Sequence, residues 1–196
     1  MRLRQICDTP ALFMEDYHGE SGKLESLMEL LEQIQTGNHR VLIFSQFRGM
    51  LDIIEKELKK MKMETFKITG STPAKDRQEM TNAFNNGEGD AFLISLKAGG
   101  VGLNLTGADT VILVDLWWNP AVESQAIGRA HRMGQERNVE VYRLITRGTI
   151  EEKIQELQES KRHLVSTILD GTESRSSLTV AEIREILGIS PETLEK

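Results

Sequence analysis

Cysteine is nearly missing from this chain of 196 residues. Cys7 stands alone, which excludes an internal disulfide and a cysteine-based metal cluster. One thiol near a terminus reads as a small, half-buried apolar residue. Long hydrophobic runs are missing as well. None approaches the ~20 residues that span a bilayer, and Met1-Arg2-Leu3-Arg4-Gln5 lacks the apolar stretch of a signal peptide. The expectation is an intracellular chain with no membrane contact. Positive charge is in deficit: 24 Lys and Arg against 30 Asp and Glu leave −6. Such a chain does not coat nucleic acid by bulk charge, although a local basic site is compatible with it, because affinity depends on where cations meet phosphates. Two signatures of a nucleotide cradle are absent too. There is no Gly-x-x-x-x-Gly-Lys-[Ser/Thr] phosphate loop: Gly22-Lys23 is followed by Leu24. Nor does an Asp-Glu pair follow a strand-like run, where it could hold magnesium.

What is present is an alternation. Ser21 can cap a helix running to about Gln35, with Leu24, Leu27, Leu31 and Ile34 on one stripe and Gly37-Asn38 as its stop. Apolar runs of strand length follow at residues 41–44, 91–94 and 111–114, with less uniform strands at 65–69 and 139–145. Helical stretches separate them. One carries Leu51, Ile54, Leu58 and Met61; the others open on Thr72-Pro73 and Asn119-Pro120, each a cap residue followed by proline. Strands that are apolar throughout are buried on both faces, so the pattern predicts an α/β fold: a doubly wound parallel sheet covered by helices on both sides. Functional groups then gather at the carboxyl ends of the strands. That places Ser45-Gln46, Thr69-Gly70-Ser71, residues 95–102 and residues 115–119 along one edge. A long helix is expected after Thr149, capped with Glu152 and stopped at Gly171. Thr179 and Glu182 cap one more short helix.

Three segments carry chemistry. In Gln125-Ala126-Ile127-Gly128-Arg129-Ala130-His131-Arg132-Met133-Gly134-Gln135, Arg129 and Arg132 are three apart and would share a helix face. Two guanidiniums so placed suit a polyphosphate clamp, each a planar fork of donors. From spacing alone, a surface helix with ordinary salt bridges is the commoner explanation. In Ser95-Leu96-Lys97-Ala98-Gly99-Gly100-Val101-Gly102-Leu103-Asn104-Leu105, glycines after a strand allow the backbone to approach phosphate. The dinucleotide fingerprint fails there, because Leu105 stands where a third glycine or alanine is needed. A tight structural loop remains open. Trp117 and Trp118 cannot both point into one core, so one is exposed or covers a partner; exposed aromatics suit nucleic acid, while core packing beside a helix cap explains them equally.

Together these segments resemble the C-terminal lobe of Swi/Snf-type ATPases in helicase superfamily two. Leu3-Arg4-Gln5-Ile6-Cys7 and Ser21-Gly22-Lys23-Leu24-Glu25 are similar to that family's approach to the lobe, although Ile6-Cys7-Asp8-Thr9-Pro10 stands where the family often has Cys-Cys-His-Pro. Residues 41–47 resemble motif IV, Gly70-Ser71 through Arg77 the segment after it, residues 95–115 motif V, Trp118-Asn119-Pro120 its extension, and residues 125–135 motif VI. The likeness covers about residues 1–170, and the His131-Arg132-Met133-Gly134-Gln135 ending is highly specific.

The resemblance implies a RecA-like lobe without a phosphate loop at residues 21–147. A connector between lobes precedes it at 1–20, a brace helix follows at 148–171 and a helical tail at 172–196. It implies that ATP with Mg2+ is bound mainly by an N-terminal RecA-like lobe of the same protein. Arg132 would be the arginine finger, with Arg129 a second γ-phosphate contact and Gly102, Asn104 and Gln125 at the same cleft. Ser45, Gln46, Gly70, Ser71, Ser95 and Lys97 would hold phosphates of double-stranded DNA, and Trp118 would face its groove. No resident metal is expected on this lobe. The intact protein would be a DNA-dependent ATPase and translocase acting on a DNA-bound protein complex, in a bacterial nucleoid or a eukaryotic nucleus, and the lobe alone would be inactive. Two other classes stand beside it: a stand-alone DNA- or protein-binding module without hydrolysis, and an RNA helicase lobe. The Gln125-led motif disfavours the latter, because DEAD-box RNA helicases usually begin it with His.

Overall fold

In the computed structural model, residues 2–14, 16–17, 19–96, 102–132, 134–135 and 137–169 are described, with backbone alone at 161–169. Lys97, the expected stop at Gly171 and the expected tail at 172–196 lie outside them.

Five strands form one parallel sheet: β1 (Val41–Ser45), β2 (Thr65–Ile68), β3 (Ala91–Ser95), β4 (Thr110–Leu113) and β5 (Glu140–Arg143), in the order β2-β3-β1-β4-β5. Val41 of β1 registers with Ala91 on one side and Thr110 on the other. Every residue of β1, β3 and β4 is buried, so their uniform apolarity comes from packing on both faces. Within each strand the side chains still alternate. Val41, Ile43, Leu93 and Ile112 face α2 (Gly22–Thr36) and α3 (Arg48–Lys60), meeting Leu27, Leu31, Met50, Leu51, Ile54 and Leu58. Leu42, Phe44, Phe92, Ile94, Val111 and Leu113 face the other way, toward Phe84 of α4 (Ala74–Asn85) and Ala126 of α5 (Pro120–Ile127). The doubly wound α/β architecture is therefore as predicted. β5 is an edge strand with one paired side and three exposed residues, and it is shorter than the expected 139–145.

Local chemistry sets the helix ends. Ser21 Oγ accepts from Leu24 N–H at the start of α2, and Asn38 takes a left-handed φ of 55° just past its end. Asn119 Oδ1 accepts from Ala121 N–H, with Pro120 opening α5. At α4 the cap falls one residue later than expected. Pro73 is the cap, and the Thr72 hydroxyl accepts from Thr69 N–H, closing the preceding turn instead. α6 (Ile150–Leu169) begins after Thr149, whose Oγ1 accepts from Glu151 N–H while Glu152 reaches back to Gly148 N–H.

Residues 1–20, read as a connector, contain a helix, α1 (Arg2–Asp8), and a 3-10 turn (Pro10–Leu12). α1 is fixed by polar residues. Arg4 and Asp8 are buried, whereas Leu3 and Ile6 are exposed, so no apolar period marks it. Cys7 is half-buried, and its carbonyl accepts from Thr146 Oγ1.

Candidate functional site

The strand order reverses between β1 and β4, where open parallel sheets form their crevice. Four segments converge along the carboxyl edge. After β2, Gly70 and Ser71 are exposed on a turn tied by Thr69 Oγ1 to Ser71 Oγ at 2.9 Å. Arg77 of α4 staples that turn from below, donating to the carbonyls of Thr72 (2.8 Å) and Gly70 (3.2 Å). The turn thus presents Ser71 and open backbone with its geometry fixed.

A polar groove of about 420 Å3 runs between α4 and the segment that follows residue 101. Arg77, Gln78 and Asn82 line one wall, Gly102 and Asn104 the other. Asn85 clasps the walls together: its Nδ2 donates to Asn104 O (2.8 Å) and its Oδ1 accepts from Gly107 N–H (3.0 Å). Gly102 and Asn104 themselves are exposed. The α4 wall escaped sequence reasoning. Its signal was the polar run Arg77, Gln78, Thr81, Asn82, Asn85 at helical spacing, opposite a weakly apolar face.

The two arginines do not share a helix. α5 ends at Ile127, and Gly128 caps it. The chain then tightens, with Arg129 N–H bonding Ala126 O and Ala130 N–H bonding Ile127 O. A glycine at the cap and these short i→i−3 bonds end the α-helical spacing on which a common face depended. Arg129 turns inward, 4% exposed, with Nη1 donating to Leu103 O at 3.5 Å; its own carbonyl accepts from Leu105 N–H. Burial, then the neighbouring Arg132 charge, hold its guanidinium below the usual arginine range. Arg132 and His131 are exposed. Gly134 needs its lack of a side chain, with φ at 99°. Gln135 Nε2 is shared among the carbonyls of Thr106, Ala108 and Ala130. The fold therefore brings Gly102, Leu103, Asn104 and Arg129 into one unit, with Arg132 projecting beside it and Gln125 exposed on α5.

Arg129→Ala should cost the lobe about 1–3 kcal/mol, the scale of a buried polar group left unsatisfied. Arg132→Ala should stay within about 0.5 kcal/mol, as for other exposed positions. Urea unfolding of both variants reads this directly, and equal small effects would show the Leu103 clasp to be dispensable.

Other expected contacts are seated differently. Ser45 is fully buried, and its hydroxyl donates to Asp115. Gln46, half-buried, donates to the same carboxylate through both its backbone N–H and Nε2. Ser95 is 7% exposed at the end of β3. Trp117 packs into the core, whereas Trp118 is 42% exposed. Arg4 lies 5.9 Å from the ring centres of Phe47, Trp117 and Trp118.

Residues 22–134 match the model of the helicase conserved C-terminal domain. The chain belongs to the helicase C-terminal domain family, in its Swi/Snf-type branch. This helicase lobe is 43% identical over 195 residues to the putative ATP-dependent helicase/translocase YwqA of Bacillus subtilis, covering 96% of this chain and 21% of that protein. It is 40% identical over 173 residues to the chromatin-remodeling ATPase INO80 of Saccharomyces cerevisiae, covering 88% of this chain and 12% of that one. The crystal structure of the C-terminal part of the Fun30 ATPase domain superposes with a TM-score of 0.67 at 37% identity, over 80% of this chain and 53% of that one. The lobe thus spans about a fifth or less of these curated relatives' length.

Proposed function

We propose that this chain is the second lobe of an ATP-dependent double-stranded-DNA translocase, supplying an arginine finger and part of the DNA track. The carrying observation is the exposed Arg132 beside the Arg129–Leu103 clasp in a chain that has no phosphate loop of its own. A projecting guanidinium without a cradle suits a site completed by another lobe. ATP supplies the phosphoryl group to be transferred, and Arg132 neutralises charge developing on it. Gln125 and the groove wall at Gly102 and Asn104 border the same cleft. Arg129 acts mainly by holding that wall, and more weakly on phosphate, because its fork is buried.

Among the described residues, no three His, Cys, Asp or Glu side chains gather where an ion could sit. Magnesium keeps its assignment to the first lobe from the resemblance alone, and no step of this lobe passes through it. Gly70, Ser71 and Trp118 are the exposed candidates for DNA contact; Lys97 keeps its assignment from the resemblance alone. Ser45, Gln46 and Ser95 support the edge from within. The DNA-bound complex acted upon belongs to a nucleoid or a nucleus.

The purified chain should turn over no ATP with or without double-stranded DNA, whereas the full-length protein should show DNA-stimulated hydrolysis. Catalysis of this kind is mostly positioning and electrostatics at a shared site. DNA-stimulated turnover by this chain alone would sink the division of labour between lobes.

A further inference from the structure

A second polar cluster is buried beneath the crevice, directly behind the edge that carries Gln46 and Trp118. Lys23 of α2 donates to Asp8 of α1 at 2.8 Å, to Glu151 of α6 at 2.5 Å and to Val114 O, just past β4, at 3.0 Å. Arg4 of α1 donates to Gln46 Oε1 at 2.9 Å and to Leu116 O, and lies 3.9 Å from Asp115. Two cations, Lys23 and Arg4, thus face three carboxylates, Asp8, Asp115 and Glu151, each at most 1% exposed. Nearby, Glu123 pairs with Arg143 at 3.2 Å. With every group ionised, the cluster would hold one uncompensated negative charge in a dry place, and a buried group so placed takes up a proton instead.

Burial raises the Asp115 carboxyl as well, but the hydrogen bonds favour the proton on Asp8. Asp115 accepts from Ser45 and Gln46. Glu151 accepts from Lys23 at Oε1 and from Thr146 N–H at Oε2. Asp8 accepts from Lys23 at Oδ1, while its Oδ2 is buried with no hydrogen-bond partner among the described residues. We propose that Asp8 is a proton-binding site, held as the neutral acid up to neutral pH, and that this proton lets α1 and α6 dock together on the end of β4. Burial first, then the Asp115 charge, push Asp8 up to about 7 against the lowering pull of Lys23. α1 precedes the sheet in the chain and α6 follows it, so the cluster is the joint between the sheet and both helices. Its meaning for a two-lobed motor rests on the function proposed above. The proton and the docking are properties of this chain alone.

An acid raised in the folded state contributes stability below its unfolded range, near pH 4, and loses it as pH rises through about 7. Asp8→Asn keeps the shape and the neutral form. Urea unfolding of both proteins between pH 5 and 7 should show the variant gaining on the wild type by about tenfold in the folding equilibrium constant per pH unit. A ratio independent of pH, or one falling as pH rises, would mean an ionised Asp8 paired with Lys23 and would overturn the proposal. Hydrogen exchange of the wild type, corrected for intrinsic rates, reads the joint even if the variant fails to fold. Amides of α1 and the first turns of α6 should lose protection together as pH rises, while β1 and β3 keep theirs. Loss in one helix only, or in the sheet as well, would overturn the joint. Neither readout involves ATP or DNA, so these results stand or fall apart from the ATPase reading.

Discussion

Arg132→Ala in the full-length protein is expected to lower kcat by about 10³–10⁵, the span that comparable arginine fingers supply, with ATP affinity nearly unchanged. The first lobe would hold most of the nucleotide, so ground-state binding survives. The finger acts on charge that grows in the transition state, and such contacts lower kcat and kcat/KM together. Arg132→Lys should fare little better, because an ammonium does not reproduce the planar fork. The exposure of Arg132 makes the experiment clean: its removal leaves the core and the Leu103 clasp in place. Arg129→Ala should behave differently, losing stability as well as rate, because its guanidinium is inside the lobe. Steady-state kinetics at saturating DNA separates the finger from a surface salt bridge worth at most about 1 kcal/mol. A kcat within a few-fold of wild type would remove Arg132 from the catalytic role.

The central strands were legible because burial on both faces leaves one solution for residues 41–44, 91–94 and 111–114: apolar throughout. β5 was less so, since an edge strand answers to solvent on one side and its ends fray into the flanking loops. α1 was not legible. Its buried residues are Arg4 and Asp8, which dock by charge on partners 111 and 15 positions away, and no hydrophobic period records that. The burial of Ser45 was illegible for the same reason. A serine at a strand end looks available until the fold sets Asp115 beside it, 70 residues downstream. The arginine pair shows a subtler limit. Spacing of three means a shared face only while the helix continues, and Gly128 ends it before Arg129. Sequence pattern identified the motif; the turn after α5 divided its two arginines, Arg129 buried in a clasp and Arg132 exposed outside it.

Lys23→Met should damage the fold about as much as emptying a core position, costing about 3–5 kcal/mol. Methionine fills a similar volume, so the loss is electrical rather than steric. It strips Asp8 and Glu151 of their shared cation and leaves the Val114 carbonyl without its buried donor. For a chain of this length, a loss of that size lowers Tm by roughly 6–20 °C. The cost should be larger at pH 8 than at pH 5. In acid, Asp8 is already neutral and has little need of the cation, whereas above pH 7 its carboxylate must be buried bare or expelled. A triple change, Lys23→Met with Asp8→Asn and Glu151→Gln, should recover part of the loss, since removing a whole buried ion cluster costs less than removing one partner. If Lys23 made only surface-like pairs, the single substitution would cost at most about 1 kcal/mol and show no dependence on pH. Thermal unfolding at the two pH values distinguishes these outcomes, and a pH-independent shift of a degree or two would show that Lys23 does not bind α1, β4 and α6 together.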